Sequence, residues 1–299
     1  MSNIIGKIKK IGVIGTGTMG NGIAQVFAGI GYDVLMIDIK QEFLDRARTS
    51  IDRSLQMMVK KEKITTDDAR AVTNRLSMSV NLKDARDCDF VVEAVSENHE
   101  IKLDVHKRLG EILRPEVVIG TNTSSISITM LAKASGRPER FIGMHFMNPV
   151  PVMKLVEVIR GMDTSDETYR ITRELTEKLE KVPVEVNDSP GFVSNRVLLP
   201  MLNEAISCIH EGIAGPVEVD NVMKFGMAHP MGPIQLADFI GLDICLAIMN
   251  VLYDGFKDSK YRPCPLLVKM VEAGHLGDKT GKGFYTWEKH KVTGVHYNG

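Results

Sequence analysis

The sequence predicts an α/β fold: a doubly wound parallel sheet with an inserted helical pair, followed by a smaller all-α domain. Three observations carry this expectation. Strand, glycine turn and helix follow one another between Ile8 and Phe27, and short, nearly all-apolar runs then alternate with helical periodicity to about Val186. Beyond Asn187-Asp188-Ser189-Pro190-Gly191 the alternation gives way to helical spacing alone. The expected boundary therefore separates residues 1–187 from residues 188–299.

The bulk properties narrow the function classes. A chain of 299 residues, 43% hydrophobic and 25% charged, is long enough for one large or two ordinary domains. Its formal net charge of -1 supplies no general basic field for nucleic acid or an anionic membrane, so any polyanionic ligand must be met locally. Cys88, Cys208, Cys245 and Cys264 lie far apart with no CxxC pair, which fits unpaired thiols in a reducing compartment. With a strand-like run reached by Ile11 and no apolar or Arg-rich leader before it, the expected location is the cytoplasm, or a chain already processed.

The first strand-like run, residues 8–14, leads into Gly15-Thr16-Gly17-Thr18-Met19-Gly20 and a helical stretch. These glycines permit a tight turn, close backbone approach to a pyrophosphate and close helix packing, and the helix N-terminus offers its N–H groups to phosphates. The next apolar run ends in Asp38, 23 residues after Gly15, where a carboxylate accepts from ribose hydroxyls and disfavours a 2′-phosphate. Gly15, Gly17, Thr18, Met19, Gly20 and Asp38 are thus the candidate contacts of a dinucleotide, with NAD preferred although Lys40 lies close by. The competing reading is a glycine turn that closes an ordinary strand–helix–strand unit without a ligand.

Residues 41–75 read as long, charged helical sequence with Leu44, Ala47, Ile51, Leu55 and Met58 on one stripe, a pair of helices projecting from the sheet. Lys60, Lys61 and Lys63 make it the densest basic spot of the N-terminal half, either a solvated helix end or a local anion site. A strand at 89–95, a helix at 101–113 and a strand at 117–121 follow. Such sheets bind ligands at the carboxyl ends of their strands, where Glu97 follows one strand and Asn122, a candidate cofactor contact, follows the next. Ser124 and Ser125 at the same edge either cap the next helix or offer a hydroxyl to a substrate oxygen.

The stretch from Gly143 to Glu157 sets a histidine and a glutamate on either side of a proline-stiffened turn, Asn148-Pro149-Val150-Pro151. Glu157 stands in an apolar run, where a carboxylate is costly unless something donates to it, and an imidazole N–H is a donor that would orient the ring for proton transfer. The alternative is that His145 only packs and Glu157 lies on an exposed strand face. After a helix at 164–179 and a strand at 182–186, Leu198, Leu202, Ala205 and Ile209 form one helical stripe. Residues 239–253 read as a single helix, apolar nearly all round, shorter than the roughly 20 residues a bilayer requires and hence a core or subunit-interface helix. No HExxH or Cys/His cluster supports a metal, and neither G-x-S-x-G nor a Walker motif is present.

With GTGTMGNGIAQ, Asp38, EAVSEN, TNTSS, GMHFMNPVPVMKLVEVI, DSPGFVSNR and AHPMGP in this order, the chain resembles the short-chain L-3-hydroxyacyl-CoA dehydrogenases over essentially its whole length. The resemblance implies a Rossmann-type domain and a helical domain that forms a homodimer, an NAD cofactor and a CoA thioester substrate. It implies His145 as the catalytic histidine with Glu157 as its partner, Ser124 on the substrate's 3-oxygen and Asn195 as the active-site asparagine. Glu97 and Lys102 match a charged pair near the nicotinamide half of the cofactor, and Lys60, Lys61 and Lys63 match the lysines that receive the CoA phosphates. A dehydrogenase of free 3-hydroxy acids is the first competitor, expected to hold a carboxylate with lysine or arginine. The second is a non-catalytic member of the same fold, against which the joint presence of His145, Glu157, Ser124 and Asn195 argues.

Overall fold

In the computed structural model, which describes residues 5–297, the first apolar run forms β1 (Lys10–Ile14) and the sequence after the glycine turn forms α1 (Thr18–Gly29). β2 (Asp33–Ile37), α2 (Gln41–Lys60), α3 (Thr66–Asn74) and β3 (Leu76–Ser79) come next. β4 (Phe90–Glu93), α4 (His99–Ile112), β5 (Val118–Thr121) and α5 (Ile128–Ser135) lead to β6 (Phe141–Phe146) and β7 (Leu155–Arg160). α6 (Asp166–Lys178) and β8 (Val182–Asn187) complete the first of two compact units, Met1–Ser189; the second is Pro190–Gly299.

Among the described residues the first unit holds one eight-stranded sheet in the order β3-β2-β1-β4-β5-β6-β7-β8. Every neighbouring pair is parallel except β6 and β7. The strand order reverses between β1 and β4, which opens a crevice at their carboxyl ends, as the doubly wound expectation requires. Inner strands are buried along nearly their whole length, and mostly apolar, because helices cover both faces. The stripe Leu44, Ala47, Ile51 and Leu55 on α2 is buried in the same core as Val13, Val34 and Phe90. β3 has no counterpart in the sequence reading: on this edge strand only Leu76 is buried while Ser77 and Met78 are exposed, so no apolar run marks it.

The second unit is built from α7 (Ser194–His210), α8 (Pro216–Asn221), α9 (Pro233–Ile240), α10 (Leu242–Phe256) and α11 (Pro265–Glu272) around their own core. The single helix expected over 239–253 is two. Gly241, at φ +105, ends α9 and begins α10 at a bend of 96°. Apolar composition on both sides concealed the break, and a backbone conformation open mainly to glycine makes it. The unit also closes with a hairpin that the sequence reading lacks, β9 (Tyr285–Glu288) against β10 (Lys291–Val295). Its anchor is the buried Asp238, which accepts from the amides of Phe284 and Tyr285 at 3.0 and 2.9 Å and from the Trp287 indole at 3.0 Å. No single helix among the described residues is long and apolar enough to cross a membrane, although α9 and α10 reach that length and composition as a bent pair. All four cysteines are free thiols.

Candidate active site

The crevice between β1 and β4 is shaped by glycine. Gly15 takes φ +88, and a Cβ there would stand 2.6 Å from the amide of Val95; a Cβ on Gly20 would collide with the Gly15 carbonyl. These two positions bring turn, helix and the β4 end into contact. A Cβ on Gly17, by contrast, would meet nothing within 4 Å, so the backbone faces open space there. Gly17 also caps α1 without a side-chain hydrogen bond, which leaves the first-turn N–H groups of Thr18, Met19 and Gly20 for a ligand. Asp38 follows β2 at the same edge. Its Oδ2 accepts from the Thr16 amide and hydroxyl at 2.8 and 2.7 Å, and its Oδ1 from the Ile39 amide at 2.7 Å. A half-buried carboxylate fixed beside an open glycine turn and an uncapped helix end fits the ribose and pyrophosphate of a dinucleotide.

At the end of β4 the sequence reading missed a residue. Glu93 is completely buried, and its Oε1 accepts from the Val95 amide at 2.7 Å and from Lys102 Nζ at 2.6 Å. Its Oε2 accepts from the Thr121 hydroxyl at 2.6 Å and pairs with His106 Nε2 at 2.9 Å. Burial alone would raise this carboxyl, but the charge of Lys102 and the hydrogen bond and charge of His106 outweigh it and hold the pKa at about 2. Lys102 and Glu97 were expected as a pair, and they do meet, at 3.6 Å; the shorter contact of Lys102 is to Glu93. A signal was present: Lys102, His106 and Leu109 are spaced i, i+4 and i+7, one inward face of α4.

Glu97 lies above this network. Its Oε1 accepts from the hydroxyls of Thr123, Ser124 and Ser125 at 2.6, 3.2 and 3.1 Å and from the amides of Ser124 and Ser125 at 2.8 and 3.1 Å. The capping alternative for these two serines does not hold, because α5 is capped by Ser127, whose hydroxyl accepts from the Met130 amide at 3.2 Å. Asn122 spans two strands, its Oδ1 accepting from the Phe146 amide at 2.9 Å.

His145 and Glu157 are directly opposed across the antiparallel pair β6–β7. Side chains alternate along strands, so Ile142, Met144 and Phe146 enter the core with Val156 and Val158, while His145 and Glu157 share the other face. His145 Nδ1 lies 2.8 Å from Glu157 Oε2. Glu157 is 2% exposed and His145 8%, which overturns the reading of Glu157 as a solvent-facing strand residue. The turn after His145 is anchored twice. Lys181 Nζ donates to the carbonyls of Val150 and Met153 at 2.6 and 2.7 Å, and Gly22 of α1 packs against Val150. Lys181 was not anticipated, because a lysine at a strand start carries no sequence mark of burial. The Asn148–Pro149 peptide bond in this turn is cis.

Lys60, Lys61 and Lys63 are all exposed, at the end of α2 and in the turn that follows it. Asn195 stands in the first turn of α7 in the second unit, its amide donating to the Gly191 carbonyl at 3.2 Å. Among the described residues no group of His, Cys, Asp and Glu could hold a metal ion.

Residues 10–189 match the family model of the 3-hydroxyacyl-CoA dehydrogenase NAD binding domain, and residues 191–287 that of the 3-hydroxyacyl-CoA dehydrogenase C-terminal domain. The chain belongs to the 3-hydroxyacyl-CoA dehydrogenase family. It is 60% identical over 278 residues to the probable 3-hydroxybutyryl-CoA dehydrogenase of Deinococcus radiodurans, covering 93% of this chain and all of that one. The 3-hydroxybutyryl-CoA dehydrogenase of Clostridioides difficile is 48% identical over 280 residues, 94% of this chain and 100% of its own. The crystal structure of (S)-3-hydroxybutyryl-CoA dehydrogenase PaaH1 from Ralstonia eutropha superposes with a TM-score of 0.92 at 48% identity, over 94% of this chain and 100% of that one. This is therefore an NAD-dependent enzyme that interconverts 3-hydroxyacyl-CoA and 3-oxoacyl-CoA thioesters, on the Rossmann-type sheet and helical second domain the sequence predicted.

Proposed function

We propose that the substrate pair is 3-hydroxybutyryl-CoA and acetoacetyl-CoA, with His145 as the group that moves the proton. The observation that carries this reading is the buried 2.8 Å contact of His145 Nδ1 with Glu157 Oε2. The carboxylate takes Nδ1 and fixes the ring, so proton exchange with the 3-oxygen falls to Nε2. Bound NAD supplies the acceptor or donor of the hydride at C3. His145 takes the hydroxyl proton in the oxidative direction and returns it in the reductive one, and Glu157 stabilises the imidazolium between. Ser124 holds the 3-oxygen, and Asn195 is the second residue assigned to the substrate's oxygens, so that C3 faces the ring. Gly15, Gly17, Thr18, Met19, Gly20 and Asp38 hold the dinucleotide, with Glu97, Lys102 and Asn122 toward its nicotinamide half.

The remaining assignments extend this reading. The CoA phosphates meet Lys60, Lys61 and Lys63. The helical second domain forms a homodimer, supported by the exposed apolar side chains Val197, Val222, Phe225 and Met227. Four unpaired thiols support a cytoplasmic location. The domain boundary is assigned between residues 187 and 188, a reading supported by compact units that divide at Ser189 and Pro190 and by family models that end at 189 and begin at 191. The test is a spectrophotometric assay with acetoacetyl-CoA and either NADH or NADPH. Asp38 predicts oxidation of NADH with a kcat/KM roughly tenfold or more above that with NADPH. No turnover of the thioester would remove the substrate reading, and equal use of the two cofactors would remove Asp38 from the ribose.

A further inference from the structure

Lys102 is shared. Its ammonium has no exposed surface and lies 2.6 Å from the buried Glu93 and 3.6 Å from Glu97, whose side chain is 36% exposed. Glu97 in turn collects the hydroxyls and amides of Ser124 and Ser125 on one oxygen. The hydroxyl proposed to hold the substrate oxygen is thus engaged by a carboxylate, and a buried cation holds that carboxylate. We propose that Glu93 is a positioning residue for this arrangement: by taking the nearer share of Lys102, it sets how firmly Glu97 stays on the Ser124–Ser125 donors and how readily a substrate oxygen replaces it.

The proposal rests on Ser124 as the substrate's partner and otherwise on charge and distance. One cation between two anions divides its attraction, and in a dry site the nearer anion takes the larger part. Without the charge of Glu93, Lys102 would belong to Glu97 alone, and Glu97 would be clamped over the serines. Without Lys102, Glu97 would lose its inner anchor. Glu93 is itself held from four sides by α4, β5 and the loop past β4, so it fixes the ammonium in one place. His106 belongs to the same hub. Its ring packs edge-on against Phe141 and its Nδ1 has no partner among the described residues, so Glu93 is the polar group that orients it.

Glu93→Gln keeps the shape and the oxygen facing Lys102, and its amide N–H groups meet the Thr121 hydroxyl and His106 Nε2, both able to accept. The experiment is amide hydrogen exchange on the ligand-free protein, which needs no turnover. In Glu93→Gln, exchange at Ser124 and Ser125 should slow by about three- to tenfold, the scale of coupling within one ionic network. In Lys102→Met it should speed up, and adding Glu93→Gln to Lys102→Met should change nothing further. The KM for acetoacetyl-CoA should rise by a similar factor in Glu93→Gln while kcat stays within about twofold, since the loss precedes the chemical step. Unchanged or faster exchange in Glu93→Gln overturns the proposal. So does the same slowing in the Lys102→Met background, or a change spread evenly over the first unit, which would mark Glu93 as a structural knot. If the wild-type enzyme does not turn over acetoacetyl-CoA, the substrate reading fails, and the exchange result still decides whether Glu93 governs Glu97.

Discussion

Both units bury carboxylates, and they do so by opposite means. In the first, Glu93 and Glu157 face groups that carry or accept a positive charge: Lys102, His106 and His145. In the second, Asp220 and Asp238 take their hydrogen bonds from neutral donors. Asp220 accepts from the amides of Ile234 and Gln235 at 2.7 and 3.0 Å and from the Tyr285 hydroxyl at 2.7 Å. The consequence shows in acidity. Burial raises Asp238 and Asp220, and the Trp287 and Tyr285 hydrogen bonds pull them only part of the way back, whereas Glu93 is driven down to about 2. Neutral donors build a joint between helix and hairpin. Charged partners hold an ionised carboxylate inside, at the cost of keeping charge out of water, which is what the proposed proton transfer by His145 requires.

The largest expected effect breaks the catalytic side of this contrast. His145→Gln or Glu157→Gln should lower kcat by roughly 10²- to 10⁴-fold, the scale of general acid–base catalysis, with NADH affinity little changed. The double variant should be no worse than the worse single one, because the pair acts as a unit. Activity near that of the wild type in either single variant would remove the pair from the mechanism, and losses that multiply would separate its members.

Acid should pull the two units apart. Glu93 has a lowered folded pKa, so its contribution is present above the ordinary value of 4.5 and is lost as pH falls toward about 2. Asp220 and Asp238 have raised folded pKa values, so the native state takes up their protons first, and they add stability as pH falls toward the ordinary value of 3.8. Trp287, the only tryptophan, reports the second unit by fluorescence, and hydrogen exchange reports the first. Between pH 4.5 and 2 the first unit should open ahead of the Trp287 signal, and Glu93→Gln should narrow the gap. Simultaneous opening in both proteins would mean that the partners of Glu93 do not set its stability.

The smallest effect tests charge without burial. Exposed lysines act through a field screened over about 8 to 10 Å at ordinary salt. The KM for acetoacetyl-CoA should therefore rise with ionic strength more steeply than that for a truncated thioester lacking the nucleotide. Replacing Lys60, Lys61 and Lys63 with glutamine should abolish the difference and leave turnover at saturation nearly intact. An unchanged salt slope would leave these lysines as a solvated helix end.

The sequence made visible what periodicity and local chemistry mark. The glycine turn, Asp38 and the facing strands of His145 and Glu157 are written in consecutive residues, and the alternation of apolar runs gives the sheet. Glu93 was passed over although it stands inside the expected strand at 89–95, because no donor close to it in sequence marks it as a buried carboxylate. Its partners come from 9, 13 and 28 residues away, which only the packing of α4 and β5 brings together. β3 and the terminal hairpin were hidden because edge strands need no apolar run. The bend at Gly241 was hidden because both helices it joins are apolar, and a single glycine in such a stretch does not announce a φ of +105.

The contact of Gly22 with Val150 bears on how this scaffold tolerates change. A methyl group at position 22 would stand 2.8 Å from the Val150 Cβ, so the helix that begins at the glycine turn rests directly against the turn that follows His145. Insertions have room in the exposed turn at residues 61–63, where length can drift without touching either strand. At Val150, buried against Gly22 and with its carbonyl held by Lys181, there is no such latitude. An added residue there would lever α1 away from the sheet or push β6 out of register with β7, and one indel would unsettle the dinucleotide cradle and the acid–base pair together.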